Sequence, residues 1–366
     1  MKQRILALAC ALALMLGLAA CTISTPDTVG NIGDFEITSG LYLLAQFDAY
    51  QKAADLASED QDPTDVKAFL KQTVTTDADS GETALVSDYV AQETLATLES
   101  FAAAEARFAA LGGELTADEE ATADSYAEQL MEQYGTTYEA NGIGLETVKR
   151  FERILLKTDA LLELVYGENG ETPVTDAELT DYLENEAIYA AYTSVPLYNT
   201  STFAFADDDQ KAEMLSLAQS AVDSYNAAIP ETASAQQSAF EASVTAALPE
   251  LYAVLDSDAS SATGFSSGLL SEDVLTSAFT DEDAAALREL KPGEGAVVSY
   301  SSYALMFVVR LDAIEAAGLD SLRDTALSAM KSDELTDSLT AYGAELEHDL
   351  DSSAMAKLPA KKIVNS

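Results

Sequence analysis

The sequence predicts an α+β protein with a long helical region, a smaller region of mixed strands and helices, and a final return to helix. Between residues 39 and about 189, apolar side chains recur every three or four positions, the spacing of helices with one buried face. Residues 192–206 are rich in strand formers, and residues 304–311 are almost wholly apolar, as in a strand covered on both faces. The helical pattern returns from residue 319 to about 350. At 366 residues, the chain is long enough for two domains.

The helical region divides into several helices with recognisable ends. One apolar stripe with helical spacing consists of Leu95, Leu98, Phe101, Phe108 and Leu111. Gly112-Gly113 ends that helix, because glycine tolerates the left-handed conformation that follows many helices. Thr116-x-x-Glu119 and Thr175-x-x-Glu178 have the spacing of capping boxes, so a helix is predicted to begin after each threonine. Residues 60–64 and 75–81 are predicted to be loops.

The second region mixes helices with short strands. The pattern is helical over residues 207–229 and 279–290, helical or mixed over 240–255, and loop-like over the glycine-containing residues 264–269. Pro292-Gly293 then predicts a tight turn, residues 296–299 a short strand, and Ser301-Ser302 a second turn before the buried strand. The predicted order is therefore strand, two helices, loop, helix and hairpin.

The N-terminus has the features of a targeting segment. Lys2 and Arg4 precede an apolar stretch over residues 5–18 that is too short to span a bilayer. It ends in Leu18-Ala19-Ala20-Cys21, which resembles a bacterial lipobox. The resemblance implies a signal peptide over residues 1–20, cleavage before Cys21 and diacylation of its thiol. Residues 21–28 would be a tether, and the protein would be lipid-anchored at the extracytoplasmic face of the cell membrane. The alternative is an ordinary secretory signal with a chance cysteine.

The charge of the chain limits its partners. Asp and Glu number 63 against 19 Lys and Arg, so the net charge is −44. Such a field opposes association with nucleic acid and with anionic lipid headgroups, so neither is expected to be a partner. The simplest interpretation is a well-solvated surface. The basic ending at residues 357–362 is predicted to be only a solvated tail.

Residue usage excludes several kinds of catalytic site. His348 is the one histidine, and its neighbours Glu345, Glu347 and Asp349 predict an exposed position on a terminal helix. The two cysteines, Cys10 and Cys21, belong to the targeting segment. Serine and cysteine triads and zinc sites with nitrogen and sulfur ligands are therefore excluded. No P-loop, dinucleotide-binding or zinc-protease motif is present.

Acidic residues leave two further options open. Paired carboxylates could serve a glycosidase, but the chain contains no tryptophan, the usual stacking surface for sugars. Asp256-x-Asp258-x-Ser260 places oxygen ligands at alternate positions, yet it lacks the glycine and closing glutamate of an EF-hand loop. We predict no cofactor and no metal site. Weak binding of calcium to the acidic surface stays open as an alternative.

The hairpin at residues 290–312 resembles the C-terminal end of a parvulin-type peptidyl-prolyl isomerase domain. In that family, an L-x-x-G-E turn leads to a final G-Y-H-I-I strand. Here Leu290 begins the turn motif, and Ser302, Tyr303 and Ala304 occupy the glycine, tyrosine and histidine positions. The histidine of the family motif is therefore replaced by Ala304.

Three more segments resemble SurA/PrsA-like foldase lipoproteins. Residues 29–38 resemble the V-N-G-x-x-I-T opening, residues 175–184 the V-T-D-E-E-I-x-x-Y-Y segment, and residues 264–269 the G-G-x-L-G loop. The resemblance implies a helical chaperone-like N-terminal domain over 29–190 and a parvulin-like domain over 191–313. Residues 314–366 would pack back on the N-terminal domain, so that the parvulin-like domain is an insertion.

The resemblance also defines a candidate peptide-binding pocket. In the family, two histidines on adjacent strands form its polar side; here the strand expected at 198–206 has none, and the last strand has Ala304. The apolar side would consist of Phe265, Leu270, Phe279, Tyr303 and Met306, and core packing is an equally good interpretation of each. No catalytic residue is predicted, and isomerase activity is expected to be weak or absent.

The leading functional hypothesis is a chaperone or foldase-like lipoprotein that binds unfolded or secreted polypeptides in an apolar cleft between its domains. One alternative is an active prolyl isomerase with a histidine-free pocket. Another is a surface lipoprotein that binds a solute or an envelope partner.

Overall fold

The computed structural model describes residues 25–78 and 80–365, so the predictions on the signal peptide and Cys21 lie outside the described residues. The chain forms two compact units. Unit 1 consists of the described residues of Met1–Leu164 and Asp333–Ser366, and unit 2 is Val165–Ser332. Unit 2 is thus inserted in sequence between the two parts of unit 1. The predicted α+β class, with a helical unit completed by the C-terminal part of the chain, is confirmed.

The elements are labelled in chain order. Unit 1 begins with β1 (Thr28–Ile32), β2 (Phe35–Thr38), α1 (Ser39–Asp55), α2 (Val66–Phe69), β3 (Thr73–Asp77), β4 (Glu82–Leu85), α3 (Val86–Ala110), α4 (Ala117–Ala140) and most of α5 (Leu145–Tyr166). Unit 2 contains α6 (Asp176–Asn185), β5 (Ile188–Pro196), α7 (Asp208–Asn226), α8 (Ala233–Ala253), β6 (Ser266–Leu270), α9 (Glu272–Ala278), α10 (Asp281–Glu289), β7 (Gly295–Tyr300), β8 (Ala304–Arg310), α11 (Ala313–Ala317) and the first half of α12 (Leu319–Glu345). Unit 1 ends with the rest of α12, β9 (His348–Leu350) and α13 (Ser352–Met355).

A three-stranded antiparallel sheet joins the two ends of unit 1. Its order is β2-β1-β9, and Gly30 of β1 lies opposite Leu350 of β9. Gly30 has φ +122°, and a Cβ atom there would lie 2.2 Å from the Asp349 carbonyl oxygen. Only glycine fits this approach of two backbones. Residue 348 therefore lies in a strand, whereas the sequence predicted a terminal helix.

The predicted capping boxes are confirmed. Thr116 Oγ1 accepts from the Glu119 N–H at 3.2 Å, and Glu119 Oε2 accepts from the Thr116 N–H at 2.7 Å, so α4 begins as expected. Thr175 and Glu178 form the same pair of bonds at the start of α6. In each helix the two side chains satisfy backbone donors that have no partner within the helix.

One hairpin in unit 1 was missed by the sequence prediction. Strands β3 and β4 pair across the segment predicted as a loop at 75–81, with Val74 opposite Ala84. Val74 is buried against Tyr50 and Phe69, and this packing with the β-branched threonines around it explains the strand. In the part of the chain that the structure describes, no helix combines the length and apolar character needed to cross a bilayer.

Unit 2 is organised around a four-stranded antiparallel sheet with the order β6-β5-β8-β7. The central strand β8 pairs with β5 on one side and β7 on the other. Phe307, Val308 and Val309 of β8 are fully buried, as the apolar run predicted. Both predicted turns of the hairpin form, one at Gly293 with φ 91° and one at Ser301 with φ 53°.

Three predictions for unit 2 are corrected. The first strand is β5. Residues 198–206, which were predicted to form that strand, instead form a turn that contains the isolated bridge Tyr198↔Phe205. Strand formers Ile188 and Tyr189 begin β5 at the end of the segment predicted to be helix, and Pro196, which cannot donate to a ladder, ends it. The segment 264–269 is mainly strand β6, and the helix predicted over 279–290 begins only after Phe279, which is extended between α9 and α10.

Candidate functional site

A cleft of about 360 Å³ lies against the sheet in unit 2. We call it the sheet cleft. Its lining consists of Tyr192, Thr193, Ser194, Thr263, Gly264, Ser266, Leu269, Leu270, Val274, Tyr300 and Met306. These residues come from β5, β6, α9, β7 and β8 and from the segment before β6, so the strand pairing of the sheet determines the shape of the cleft.

The register places Ala304 beside this cleft. Met306 lies opposite Ser194 of β5 and Val298 of β7, and Ala304 lies opposite Pro196 and Tyr300. Because side chains alternate along a strand, Ala304 and Met306 are on the same face of the sheet. Ala304 is partly exposed there. The side chain that β8 offers at this position is therefore only a methyl group.

The structure brings three of the five predicted pocket residues together. Leu270, Phe279 and Met306 share one buried cluster, and Phe279 also contacts Tyr300 with ring centroids 5.6 Å apart. Phe265 instead packs edge-on against Phe240 of α8 at 6.4 Å. Tyr303 is 54% exposed and lies outside the cluster. The floor of the sheet cleft is thus Leu270 and Met306, with Phe279 packed beneath the same surface.

Thr193 fixes the rim of the sheet cleft. Its hydroxyl lies 3.2 Å from the Thr263 carbonyl oxygen and 3.3 Å from that of Gly264, and Thr263 Oγ1 donates to the Ser194 carbonyl at 3.2 Å. Thr193 itself is buried. These bonds hold the segment before β6 against β5, so the cleft is a formed feature of unit 2.

The polar groups of the sheet cleft are hydroxyls and backbone atoms. Among the described residues that line it, none is a histidine, cysteine, carboxylate or cation. The corrected first strand β5 lacks histidine, as the misplaced one did. His348 lies in unit 1, where its Nε2 is 3.3 Å from Glu99 Oε1. The sheet cleft can therefore hold an apolar group and donate or accept hydrogen bonds, but it offers no acid or base that titrates near neutral pH.

A second surface of unit 2 lies just beyond the ends of β5 and β8. We call it the aromatic patch, and it consists of Tyr198, Phe203, Phe205 and Tyr303. Tyr198 stacks on Phe203 at 6.2 Å and meets Phe205 edge-on at 6.0 Å, while Phe205 lies 6.4 Å from Tyr303. Phe203 and Phe205 are 71% and 65% exposed. Contiguous exposed aromatic surface of this kind is typical of an interaction site.

The turn that presents Phe203 is well built but strained. Asn199 Oδ1 accepts from the N–H groups of Ser201 and Thr202, each at 2.9 Å, and the Phe203 N–H donates to the Asn199 carbonyl at 2.8 Å. Phe203 has φ 57°, a left-handed conformation that costs a residue with a Cβ atom about 1–2 kcal/mol. Because the ring is largely exposed, its burial contributes little stability to offset this strain. The strain therefore indicates that the ring has a role other than stabilising the fold.

Sequence reasoning missed the aromatic patch for a specific reason. The alternation of Phe203 and Phe205 was interpreted as a strand with one buried face. The signal that could have corrected it is Asn199, a residue that favours turns through its own side chain. The approach of Tyr303 to Phe205, across about 100 residues, depends on the pairing of β5 with β8 and has no local signal.

The acidic segment considered for calcium has a structural role. Asp258 caps the 3-10 helix Ala259–Ser261, accepting from the Ser260 N–H at 2.8 Å. Hydrogen bonds from Ser260 hold the pKa of the Asp258 carboxyl below its usual value. Within residues 25–78 and 80–365, no group of three or more histidine, cysteine or acidic side chains is arranged to hold a metal ion.

The chain is similar in structure to a known foldase but has no detected relative by sequence. No protein-family model matches the chain, and no curated protein matches it in sequence. Among solved structures, the chain is similar to the crystal structure of foldase protein PrsA from Streptococcus pneumoniae. The identity is 13%, the match covers 77% of this chain and 97% of that chain, and the TM-score is 0.35.

Proposed function

We propose that this protein is a foldase-like chaperone that binds unfolded or secreted polypeptides through unit 2, by contact and without covalent chemistry. The proposal rests on the aromatic patch. Phe203 and Phe205 expose most of their surface. The backbone at Phe203 has a strained, left-handed conformation, and little burial of the ring compensates for this strain. The sheet cleft, which is lined in part by β5 and β8, adds an apolar floor that can take one side chain of the client.

The physical basis of binding is the burial of aromatic surface. Each apolar side chain fully buried against a client contributes about 1.5–3 kcal/mol, so a few contacts give reversible binding in the micromolar range. Unfolded chains differ from folded ones in exposing such side chains, which makes the patch selective for them. The net charge of −44 favours clients with basic residues and keeps the complex soluble.

We further propose that prolyl isomerase activity is weak or absent. Rotation about the peptide bond has a barrier of about 18–20 kcal/mol, and a pocket could lower it by desolvating or twisting the bond. The polar groups of the sheet cleft are hydroxyls and backbone atoms, no histidine is among its described lining residues, and Ala304 beside it contributes only a methyl group. A proline ring could enter the cleft, but the polar side of the family's site is missing.

The location of the activity is part of the proposal. We infer that Cys21 is acylated after cleavage of residues 1–20 and that the protein acts at the extracytoplasmic face of the membrane. The support is the lipobox-like sequence Leu18-Ala19-Ala20-Cys21. Mass spectrometry of the protein from bacterial membranes should show a diacylglycerol-modified N-terminal peptide, and Cys21→Ser should abolish it. An unmodified N-terminus in the membrane fraction would contradict the anchor.

Suppression of aggregation of an unfolded secretory client tests the chaperone function. The double variant Phe203→Ser/Phe205→Ser should lose most of the suppression, about tenfold in the concentration required, because it removes the exposed part of the patch. Tyr126→Ser is the matched control, since Tyr126 is 55% exposed on α4 of unit 1 and outside the patch. Equal suppression by both variants, or none by the wild type, would sink the proposal.

Isomerase activity needs its own assay. A protease-coupled measurement on a proline-containing peptide should show a rate close to the uncatalysed one. Ala304→His restores the residue of the family motif, so it reports whether the missing imidazole limits the rate. Turnover by the wild type at rates typical of parvulins would establish the alternative, an active isomerase with a histidine-free pocket.

A further inference from the structure

Unit 1 contains a cleft whose chemistry contrasts with the rest of this acidic chain. It has a volume of about 830 Å³, and its lining includes Lys67, Lys357, Lys361 and Lys362. We call it the lysine cleft. No carboxylate is among the described residues that line it. The whole chain has 19 Lys and Arg against 63 Asp and Glu, so it is strongly negative. The lining of this cleft, with four lysines and no acid among its described residues, is positive instead.

The lysines are held in place by the folded C-terminal segment. The Val364 N–H donates to Asn141 Oδ1 at 2.9 Å, and Asn141 Nδ2 donates to the Val364 carbonyl at 3.0 Å. Asn365 Nδ2 donates to the Pro63 carbonyl at 3.2 Å, and Ile363 packs against the buried cluster around Tyr50. The basic ending is therefore an ordered wall of the cleft, which corrects the prediction of a tail that is only solvated.

These lysines lack the counter-charges that other cations of the chain have. The ion pairs of the described residues involve cations such as Lys149, Arg153 and Lys157, and none involves a lysine of the lysine cleft. The nearby Asp65, which lines a neighbouring cavity, is engaged as the N-cap of α2 and accepts from the Ala68 N–H. Four ammonium groups around one cavity repel one another, and an anion between them removes that repulsion.

We propose that the lysine cleft binds a phosphate-bearing anion. Lysine ammonium groups bind phosphate oxygens well as point charges, and the volume is ample for a phosphate group with its substituents. Thr25 also lines the cleft and follows Cys21 by four residues, which span at most about 14 Å of extended chain. The headgroup of an anionic phospholipid is therefore the source that the position favours, a point that rests on the proposed acylation of Cys21. A soluble phosphate compound is the other source.

The test uses the chain from residue 22, which retains every described residue and cannot be acylated. Its probes are inorganic tripolyphosphate, vesicles of phosphatidylcholine with one-third phosphatidylglycerol, and vesicles of phosphatidylcholine alone. The variant Lys67→Gln/Lys357→Gln/Lys361→Gln removes three charges from the cleft. Its matched control, Lys71→Gln/Lys211→Gln/Lys291→Gln, removes three charges elsewhere. Circular dichroism checks that both variants fold.

The wild type and the control variant should bind tripolyphosphate or the anionic vesicles, and the cleft variant should bind at least tenfold more weakly. Binding to anionic but not to neutral vesicles assigns the ligand to the headgroup, and binding to tripolyphosphate alone assigns it to a soluble compound. No binding to either probe, or an equal loss in both variants, would overturn the proposal. Acylation does not enter the experiment, so a failed anchor and a failed anion site give different results.

Discussion

The two clefts of this chain differ in almost every physical respect. The sheet cleft of unit 2 has an apolar floor of Leu270 and Met306, a rim of hydroxyls and an aromatic patch nearby. The lysine cleft of unit 1 has four cations and no lining carboxylate among its described residues. The first suits an unfolded polypeptide, whose apolar groups gain from leaving water, and the second suits an anion.

The difference shows how little the net charge says about a local surface. A charge of −44 predicted that anionic groups would be repelled everywhere. Ionic screening limits this long-range repulsion to about 8–10 Å at physiological salt, so the lysines that line a cavity contribute most to the field inside it. One chain can therefore avoid nucleic acid in bulk and still bind an anion at one place.

The largest effect is expected for the sheet beneath the unit 2 surfaces. Phe307 is fully buried in β8. Phe307→Ala should lower the free energy of unfolding by about 3–5 kcal/mol, because it removes buried apolar surface and leaves a cavity. Urea unfolding followed by circular dichroism measures it. Val274→Ala, at an exposed position on α9, should cost far less; similar losses for both would contradict this account of the core.

A smaller loss of stability is expected at high pH, and each unit contains a tyrosine with a strongly raised pKa that contributes to it. Burial raises the pKa of Tyr50 in unit 1 and of Tyr225 in unit 2 to about 12, above the usual 10. The Tyr50 hydroxyl donates to the Pro63 carbonyl at 2.6 Å, and that of Tyr225 to the Gly293 carbonyl at 2.7 Å. Since the folded-state pKa is the higher one, this stability is fully present below pH 10 and is lost as the pH rises toward 12.

Phenylalanine variants separate the two units in this respect. Tyr225→Phe should cost about 1–3 kcal/mol at pH 7, because the Gly293 carbonyl loses its buried partner, and it should weaken the pH dependence between 10 and 12. Tyr50→Phe should weaken the pH dependence of unit 1 in the same way but cost less at pH 7, because the Pro63 carbonyl still accepts from Asn365 Nδ2. Thermal unfolding at pH 7, 10 and 11.5 makes the comparison. An unchanged alkaline slope in both variants would show that other groups are responsible.

The aromatic patch predicts a variant that gains stability and loses function. Phe203→Gly relieves the left-handed strain, so unfolding should become harder by about 1 kcal/mol, partly offset by the greater freedom of glycine in the unfolded chain. The same variant should suppress client aggregation less well than the wild type. Chemical denaturation and the aggregation assay are read together. A less stable variant that binds clients normally would show that the ring serves the fold.

The smallest effect on stability is expected in the lysine cleft. Replacing Lys67, Lys357 and Lys361 with glutamine should change the free energy of unfolding by less than about 0.5 kcal/mol in the absence of an anion, because their ammonium groups have no ion-pair partner among the described residues. With saturating tripolyphosphate, the wild type should melt higher and the variant should not. A large loss without ligand would mean that the lysines are structural.

Much of the fold could be predicted because its signals are local. The capping pairs at Thr116 and Thr175 lie within four residues, and the apolar run of β8 follows directly from its composition. The errors occurred where local signals conflict. The helical pattern was extended to about residue 189 and the first strand was predicted at 198–206, so β5 was placed too late; the hairpin β3-β4 depends on packing in the cluster around Tyr50.

The candidate sites divide in the same way. The identity of residue 304 as alanine, and the presence of a single histidine and no cysteine in the proposed mature chain beyond Cys21, follow from residue identities alone. The sequence also determined the net charge and the lipobox-like segment. Only the tertiary structure brought Leu270 and Met306 to one cleft, moved Tyr303 to the aromatic patch and exposed Phe203.

The lysine cleft depends most strongly on tertiary structure. Lys67 and Lys361 are almost 300 positions apart in sequence, and the hydrogen bonds between Asn141 and Val364 that order the C-terminal segment join residues 223 positions apart. The physical reason is the distance along the chain over which each signal acts. Periodicity, capping and composition act over a few residues and can be read along the chain, whereas the meeting of distant side chains depends on which strands and helices pack together.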